Sequence, residues 1–163
     1  MAIFGSKRDI TTFTGISREL VEDVASQDIG YYKIVLKDTP VNIYGEATSK
    51  YYIGPVLLNC LIERGDREYD KQDFGIQTKR IVTFRFMKYH LIKANVVPEA
   101  GDVVMYNESY YQVDGVNENQ LILGKDSDYA YEQGLENFGN SFSVIVSTHL
   151  TSPDALGITQ QKL

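Results

Sequence analysis

The feature that most constrains the fold is a strand–turn–strand pattern in the second half of the chain. Asp102–Tyr106 predicts one strand, Asn107–Ser109 a tight turn, and Tyr110–Val116 the return strand. A further turn at Asn117–Asn119 precedes another apolar run, Gln120–Gly124. The sequence therefore predicts an antiparallel meander of three short strands.

The same signals recur along the rest of the chain. Further strands are predicted over Tyr31–Leu36, Val41–Tyr44, Tyr51–Ile62, Ile81–Phe86 and Phe142–Leu150. Gly54-Pro55 indicates a bulge, a bend or a sheet edge within its strand, and a helical turn is expected within Leu91–Val97. Many short strands with turn signals predict a mainly β protein, a small β-barrel or sandwich with flexible termini.

One short helix is expected before the strands. Ser17 is a candidate N-cap, and Leu20, Val21 and Val24 form one apolar stripe, which predicts a helix over 17–27. The 163 residues fit one domain. The predicted organisation is an extended N-terminal arm over 1–16, a single β-rich domain with an N-terminal helix over 17–150, and a C-terminal tail over 151–163.

Two long polar segments interrupt the predicted strands, one over 63–79 and the other over 125–141. Structureless connections of this length are uncommon in compact domains and are often functional. We therefore expect both segments to be long inserted loops.

Charge and composition exclude several classes of protein. The formal net charge of −6 disfavours a generic nucleic-acid binder, and the basic pairs Lys7-Arg8 and Lys79-Arg80 fit solvated surface. No signal peptide and no bilayer-spanning apolar run is expected, which favours a protein made and kept in a cytoplasm or in a particle assembled there. The one cysteine, Cys60, lies in an apolar run and is predicted to be a small buried hydrophobe.

The search for a chemical site gives no candidate. His90 and His149 are far apart in sequence and lack metal-ligand spacing. The pair Asp126 and Asp128 begins like a calcium loop, but Tyr131 and Asn137 occupy the positions that need glycine and glutamate. We therefore expect no catalytic residue, no cofactor, no metal and no enzyme. Twelve tyrosines and no tryptophan instead favour a chain that contacts other proteins.

Three segments resemble a known family. Val97–Val116, with Gly101-Asp102 before a strand and Tyr110-Tyr111 on its return, looks like the head-closure (stopper) proteins of tailed phages. Val41–Ala47 and Phe138–Leu150 are similar to neck proteins of large tailed phages, so that the resemblance covers about residues 31–150.

The resemblance implies a β-barrel with a long inserted loop and a structural role in the virion, at the head–tail junction. Copies would assemble as a homo-oligomeric ring between the portal or adaptor protein and the tail-terminator or another tail protein. The ring would close the DNA-filled head and let double-stranded DNA pass without sequence-specific binding. Assembly would take place in the host cytoplasm, and no catalytic residue is carried over.

Three alternatives remain open at this point. The first is a tail-terminator or baseplate structural protein of similar barrel fold. The second is a non-viral ligand-binding β-barrel, which would be a monomer with a pocket lined by tyrosines. The third is an enzyme, which would need a cleft that unites His90 or His149 with carboxylates.

Overall fold

A computed structural model describes residues 7–35, 37, 50–72, 75–121 and 141–156. The helices are α1 (Lys7–Glu19), continued by a π-helical segment (Leu20–Ala25), α2 (Lys88–Ala94) and α3 (Pro153–Leu156). The strands are β1 (Asp28–Ile34), β2 (Tyr52–Asn59), β3 (Leu61–Gln72), β4 (Gly75–Met87), β5 (Val103–Tyr106), β6 (Ser109–Leu121) and β7 (Ser141–Thr151). None of the described helices combines the length and apolar character needed to cross a membrane.

The seven strands form one antiparallel sheet in the order β2-β1-β5-β6-β7-β4-β3, which confirms the predicted mainly β class. The two edge strands, β2 and β3, follow each other in the chain with only Cys60 between them. The sheet must therefore curl until its two ends meet at this residue. No ladder joins β2 to β3 within the described residues, so the sheet is curled like a sandwich and is not closed into a barrel.

The concave face of the curled sheet holds the main core. Strand β4 shows why, because its alternate residues Val82, Phe84 and Phe86 are fully buried while Ile81 and Arg85 point outwards. Curling brings opposite strands together, and the rings of Tyr31 on β1 and Phe86 on β4 meet edge to face at 6.2 Å. The other buried members of this cluster are Ile29, Leu58, Cys60, Val82, Phe84, Leu91, Val104, Tyr111, Val113, Val144 and Val146.

A second, smaller cluster lies on the opposite face of the sheet. It joins Tyr32, Val103, Met105 and Tyr110 to Leu156 of α3, which is 1% exposed. The predicted tail over 151–163 is therefore wrong for its first residues, because β7 runs to Thr151 and α3 packs onto the sheet. A single leucine in a polar segment gives no periodic signal, and the face that buries it is distant in sequence. Residues 157–163 lie outside the described part of the chain.

The N-terminal helix begins before the predicted cap at Ser17. Residues 7–16, predicted as an extended arm, belong to α1, and the helical region ends where Ser26 adopts a left-handed conformation (φ 43°). The helix was missed in the sequence because the threonines in this segment have low helix propensity. In the structure Thr12 donates its side-chain hydroxyl to the Arg8 carbonyl, a bond compatible with a helix interior. Residues 1–6 lie outside the described residues.

The predicted loop over 63–79 is also wrong, because β3 and β4 form a long hairpin there. Pairing between the two strands satisfies the backbone hydrogen-bonding groups of these residues. Their side chains lack the apolar alternation from which a strand is predicted. Similarly, β6 continues through the predicted turn at 117–119, with register shifts between Asn117 and Gln120, so the described part of the predicted meander has two strands. The predicted strand 41–44, residues 122–124 and almost all of the predicted loop 125–141 lie outside the described residues.

The Gly54-Pro55 signal is confirmed as a bulge on an edge strand. The register between β1 and β2 shifts between Tyr31 and Lys33, opposite Gly54. Gly54 has φ 144°, and a Cβ atom there would lie 2.6 Å from the Tyr31 carbonyl oxygen. Only glycine fits this backbone and this close approach.

Candidate assembly surface

His90 ties the N-terminal helix to α2. Its ring is 6% exposed, and Nε2 lies 2.9 Å from Oε1 of Glu22 in the π-helical segment. Beside it the Arg18 guanidinium lies over the Tyr89 ring, 5.8 Å from the ring centre. The two contacts hold the helices against each other.

His149 lies in a separate pair on β6 and β7. Its Nδ1 is 2.6 Å from Oδ1 of Asp114, and its Nε2 is 3.4 Å from the Thr151 hydroxyl. Both side chains of the ion pair are well exposed, so solvent screens it. Within the described residues, no three histidine, cysteine, aspartate or glutamate side chains gather as a metal site would require. Asp126, Asp128, Tyr131 and Asn137 lie outside those residues.

Cys60 is the small buried hydrophobe that the sequence predicts. It occupies the junction of β2 and β3, is fully buried, and donates its backbone N–H to the Gln27 carbonyl. Burial, with a smaller effect of Asp28, raises the pKa of the Cys60 thiol to about 12. The thiolate, which is the nucleophilic form, is therefore suppressed at neutral pH.

Protein stability should fall in alkaline solution because of Cys60. Its pKa rises from 9.0 in the unfolded chain to about 12 in the folded one, so above pH 9 the folded state binds more protons. The expected loss from this group is about 2 kcal/mol between pH 8 and pH 10.5. Urea unfolding at both pH values should show a smaller drop for Cys60→Ala, and an equal drop in both proteins would contradict the assignment.

Asp102 is the most highly connected polar side chain of the described structure. It is fully buried, and its Oδ2 accepts hydrogen bonds from the Tyr31 hydroxyl at 2.7 Å, the Lys33 ammonium at 3.0 Å and the Glu99 backbone N–H at 2.8 Å. Its Oδ1 accepts the backbone N–H of Ile34 at 2.9 Å. A buried carboxylate with four donors is fully satisfied and fixes the groups around it.

These bonds join the end of β1 to the turn before β5. Lys33 also donates to the Val97 carbonyl at 2.8 Å and pairs with the Glu99 carboxylate at 2.8 Å. Burial, followed by the hydrogen bond to Asp102, raises the pKa of the Tyr31 hydroxyl, which stays protonated and keeps donating. The sequence places Asp102 at a strand start but gives no sign of this clamp, because Tyr31 and Lys33 lie far earlier in the chain.

The outer surface of the N-terminal helix is apolar. Phe13, Ile16, Leu20 and Val24, which we call the α1 stripe, are spaced by three or four residues and are 49%, 60%, 51% and 74% exposed. Residues with this spacing share one helix face. A helix of this length is marginal in water by itself. The stripe is therefore an apolar surface that the described part of the molecule leaves exposed.

The β3–β4 hairpin extends beyond the sheet. Strand β4 pairs with β7 only from Ile81 to Met87. Six rows of the hairpin, from Arg67 opposite Arg80 to Gln72 opposite Gly75, pair only with each other among the described residues. We call residues 65–72 and 75–80 the ribbon, and its six paired rows span about 20 Å. Two-stranded ribbons are marginally stable in water without further packing.

The structure places the two basic pairs of the sequence in different elements. Lys7-Arg8 starts α1, and Lys79-Arg80 lies in the ribbon where it joins the sheet.

Comparison with protein-family models gives no match for the chain, and comparison with curated protein sequences gives none either.

Proposed function

We propose that this chain is a structural protein of a tailed-phage neck. It forms a ring between the portal or adaptor protein and the tail, closes the DNA-filled head, and provides the surface to which the tail attaches. The observation that carries the proposal is the ribbon, a projecting arm with a charged sequence whose two strands pair only with each other among the described residues. Ring subunits need such arms, which neighbouring copies can complete.

The resembling segment supports the same proposal. Its Gly101-Asp102 pair directly precedes the β5–β6 hairpin, where Asp102 clamps the sheet, and both residues of its Tyr110-Tyr111 pair are buried on β6. In this proposal the hairpin is the rigid part of the subunit, while the ribbon and the α1 stripe make contacts. A tail-terminator or baseplate protein of similar fold is the second candidate, and position in the particle distinguishes the two.

The ligand-binding alternative predicts tyrosines around an open pocket. Instead Tyr31, Tyr32, Tyr110 and Tyr111 are each 4% exposed or less and pack against other side chains. These four tyrosines contribute to the two cores, which counts against a pocket lined by them.

The charge of the chain fits passage of DNA. Each copy has a formal net charge of −6, so a ring of many copies carries a strongly negative electrostatic field, which repels DNA phosphates and lets the genome slide. In this proposal, acidic side chains line the channel. A ring structure with a basic channel and acidic outer wall would contradict it.

Shortening the ribbon tests the proposal with the domain left intact. Replacing residues 66–79 by Asn-Gly connects Gly65 to Arg80 through a turn that closes two-residue hairpins. We expect phage complemented with this variant to produce few infectious particles, with unjoined heads or heads that leak DNA, because the arm is absent. The readouts are plaque titre and electron microscopy of the lysate.

A matched control variant keeps the ribbon and replaces the exposed Asp114 by Ala on the outer side of β6. It should support a normal titre. Circular dichroism and urea unfolding of the purified short-ribbon protein must show a folded domain. A folded short-ribbon protein that gives normal particles would contradict a contact role for the ribbon.

A further inference from the structure

The molecule carries a second exposed apolar patch besides the α1 stripe. Ile92 on α2 is 70% exposed, and Val97, in the turn after this helix, is 62% exposed. We call these two residues the α2 patch. The stripe on the N-terminal helical region and the patch on and just after α2 are exposed to a degree that makes both candidates for burial in an interface.

The stripe and the patch cannot cover each other within one molecule. Glu22 and His90 make the contact between the two helical elements. Leu20 is two positions from Glu22, and Ile92 is two positions from His90, which places each on roughly the opposite side of its own helix, about 200° away for an α-helix. Leu20 therefore faces away from α2, and Ile92 faces away from the N-terminal helix.

The charges beside the two surfaces are complementary. Glu19 and Asp23 are exposed and flank Leu20 of the stripe, and exposed Lys93 adjoins Ile92 of the patch. Opposite charges at the rim of an apolar contact fix its register and exclude wrong partners. A stripe packed against another copy's stripe would instead bring acidic flanks into the same contact.

We infer that the α1 stripe of one copy docks on the α2 patch of a second copy, with Glu19 and Asp23 facing Lys93. The contact joins different surfaces of the two copies, and repetition of such a head-to-tail contact closes a ring if the rotation allows. The inference rests on the proposed ring and specifies its subunit contact. The partner of the helix is thereby another copy of this chain, not a portal or tail protein.

Cysteine cross-linking tests the contact in the full chain. Leu20→Cys and Ile92→Cys are made separately, and a short bismaleimide is added to each protein alone and to their mixture, both purified at high concentration and in complemented particles. Native Cys60 contributes little background, because it is fully buried and its pKa is raised to about 12. We expect a covalent dimer only in the mixture, and a ladder of oligomers from the double variant.

Three results would overturn the inference. A dimer from Leu20→Cys alone would show that the stripe pairs with itself. Equal cross-linking of Leu20→Cys with Ile81→Cys, an exposed control on β4, would show random collision. Absence of the mixed dimer in both concentrated protein and particles would exclude the contact.

Charge reversal provides an independent readout. Glu19→Lys combined with Asp23→Lys should abolish the mixed dimer, and adding Lys93→Glu should restore it; failure of this rescue contradicts the proposed register. Cross-linking without any neck defect on loss of the gene would leave the contact standing and remove the proposed function. A neck defect without cross-linking would leave the proposed function standing and exclude the contact.

Discussion

Asp102→Ala is expected to lower the free energy of unfolding by about 3–5 kcal/mol, because it removes the acceptor of a buried polar cluster. The Tyr31 hydroxyl and the backbone N–H groups of Ile34 and Glu99 lose their partner. Each buried donor left unpaired costs about 1–3 kcal/mol. Lys33 adds less, since it is one-third exposed and retains the Glu99 carboxylate.

Urea unfolding at pH 7 measures this loss. Asp102→Asn should lose about half as much, because one amide oxygen still accepts a hydrogen bond. Asp114→Ala is the matched control, since it removes an exposed carboxylate in an ion pair and should cost about 1 kcal/mol or less. Similar small losses for the Asp102 and Asp114 variants would contradict the clamp.

Phe84→Ala should destabilise the domain by a comparable amount, about 3–5 kcal/mol. Phe84 is fully buried and its ring contacts three others, those of Phe86, Tyr106 and Tyr111, with centroids 5.9–6.5 Å apart. Removing it leaves a cavity where the two sides of the curled sheet meet, and a rigid aromatic cluster cannot collapse to fill it.

Thermal and urea unfolding of Phe84→Ala should therefore show a large loss with the same cooperative transition. Ile81→Ala on the same strand is the control, because Ile81 is 45% exposed on the other face of the sheet and should cost under about 1 kcal/mol. Equal losses would mean that the concave face is not the main core.

Local patterns were sufficient for the strands whose alternate residues are buried. Asp102–Tyr106 and Phe142–Leu150 match their strands to within one residue at each end, and Ile81–Phe86 matches the part of β4 that packs into the core. Gly54 was correctly linked to an irregular edge strand, since only a bulge or turn requires glycine there. The burial of Cys60 followed from its apolar surroundings.

The errors arose where distant partners decide the structure. The ribbon is polar and its strands are defined only by pairing with each other, so a window of sequence resembles a loop. Leu156 is buried by Tyr32 and Tyr110 from far earlier strands. The Asp102 clamp depends on hydrogen bonds from Tyr31 and Lys33, and no spacing in the sequence predicts that these side chains lie together.

The contact surfaces were missed for a different reason. The α1 stripe has clear helical spacing over Phe13, Ile16, Leu20 and Val24, but apolar spacing ordinarily indicates a buried face. Only the three-dimensional arrangement shows that the stripe faces outwards, while Val21 is the one buried residue among the described side chains of this region.

The proposed neck function is tested most directly by blocking translation of this chain in the phage that, under the proposal, encodes it and imaging the lysate by electron microscopy. The proposal predicts separate heads and finished tails, with heads that leak DNA, because the ring that closes one and binds the other is missing. Filled heads joined to tails, or heads beside defective tails, would place the chain in the tail or baseplate. Normal particles would contradict a role in assembly altogether.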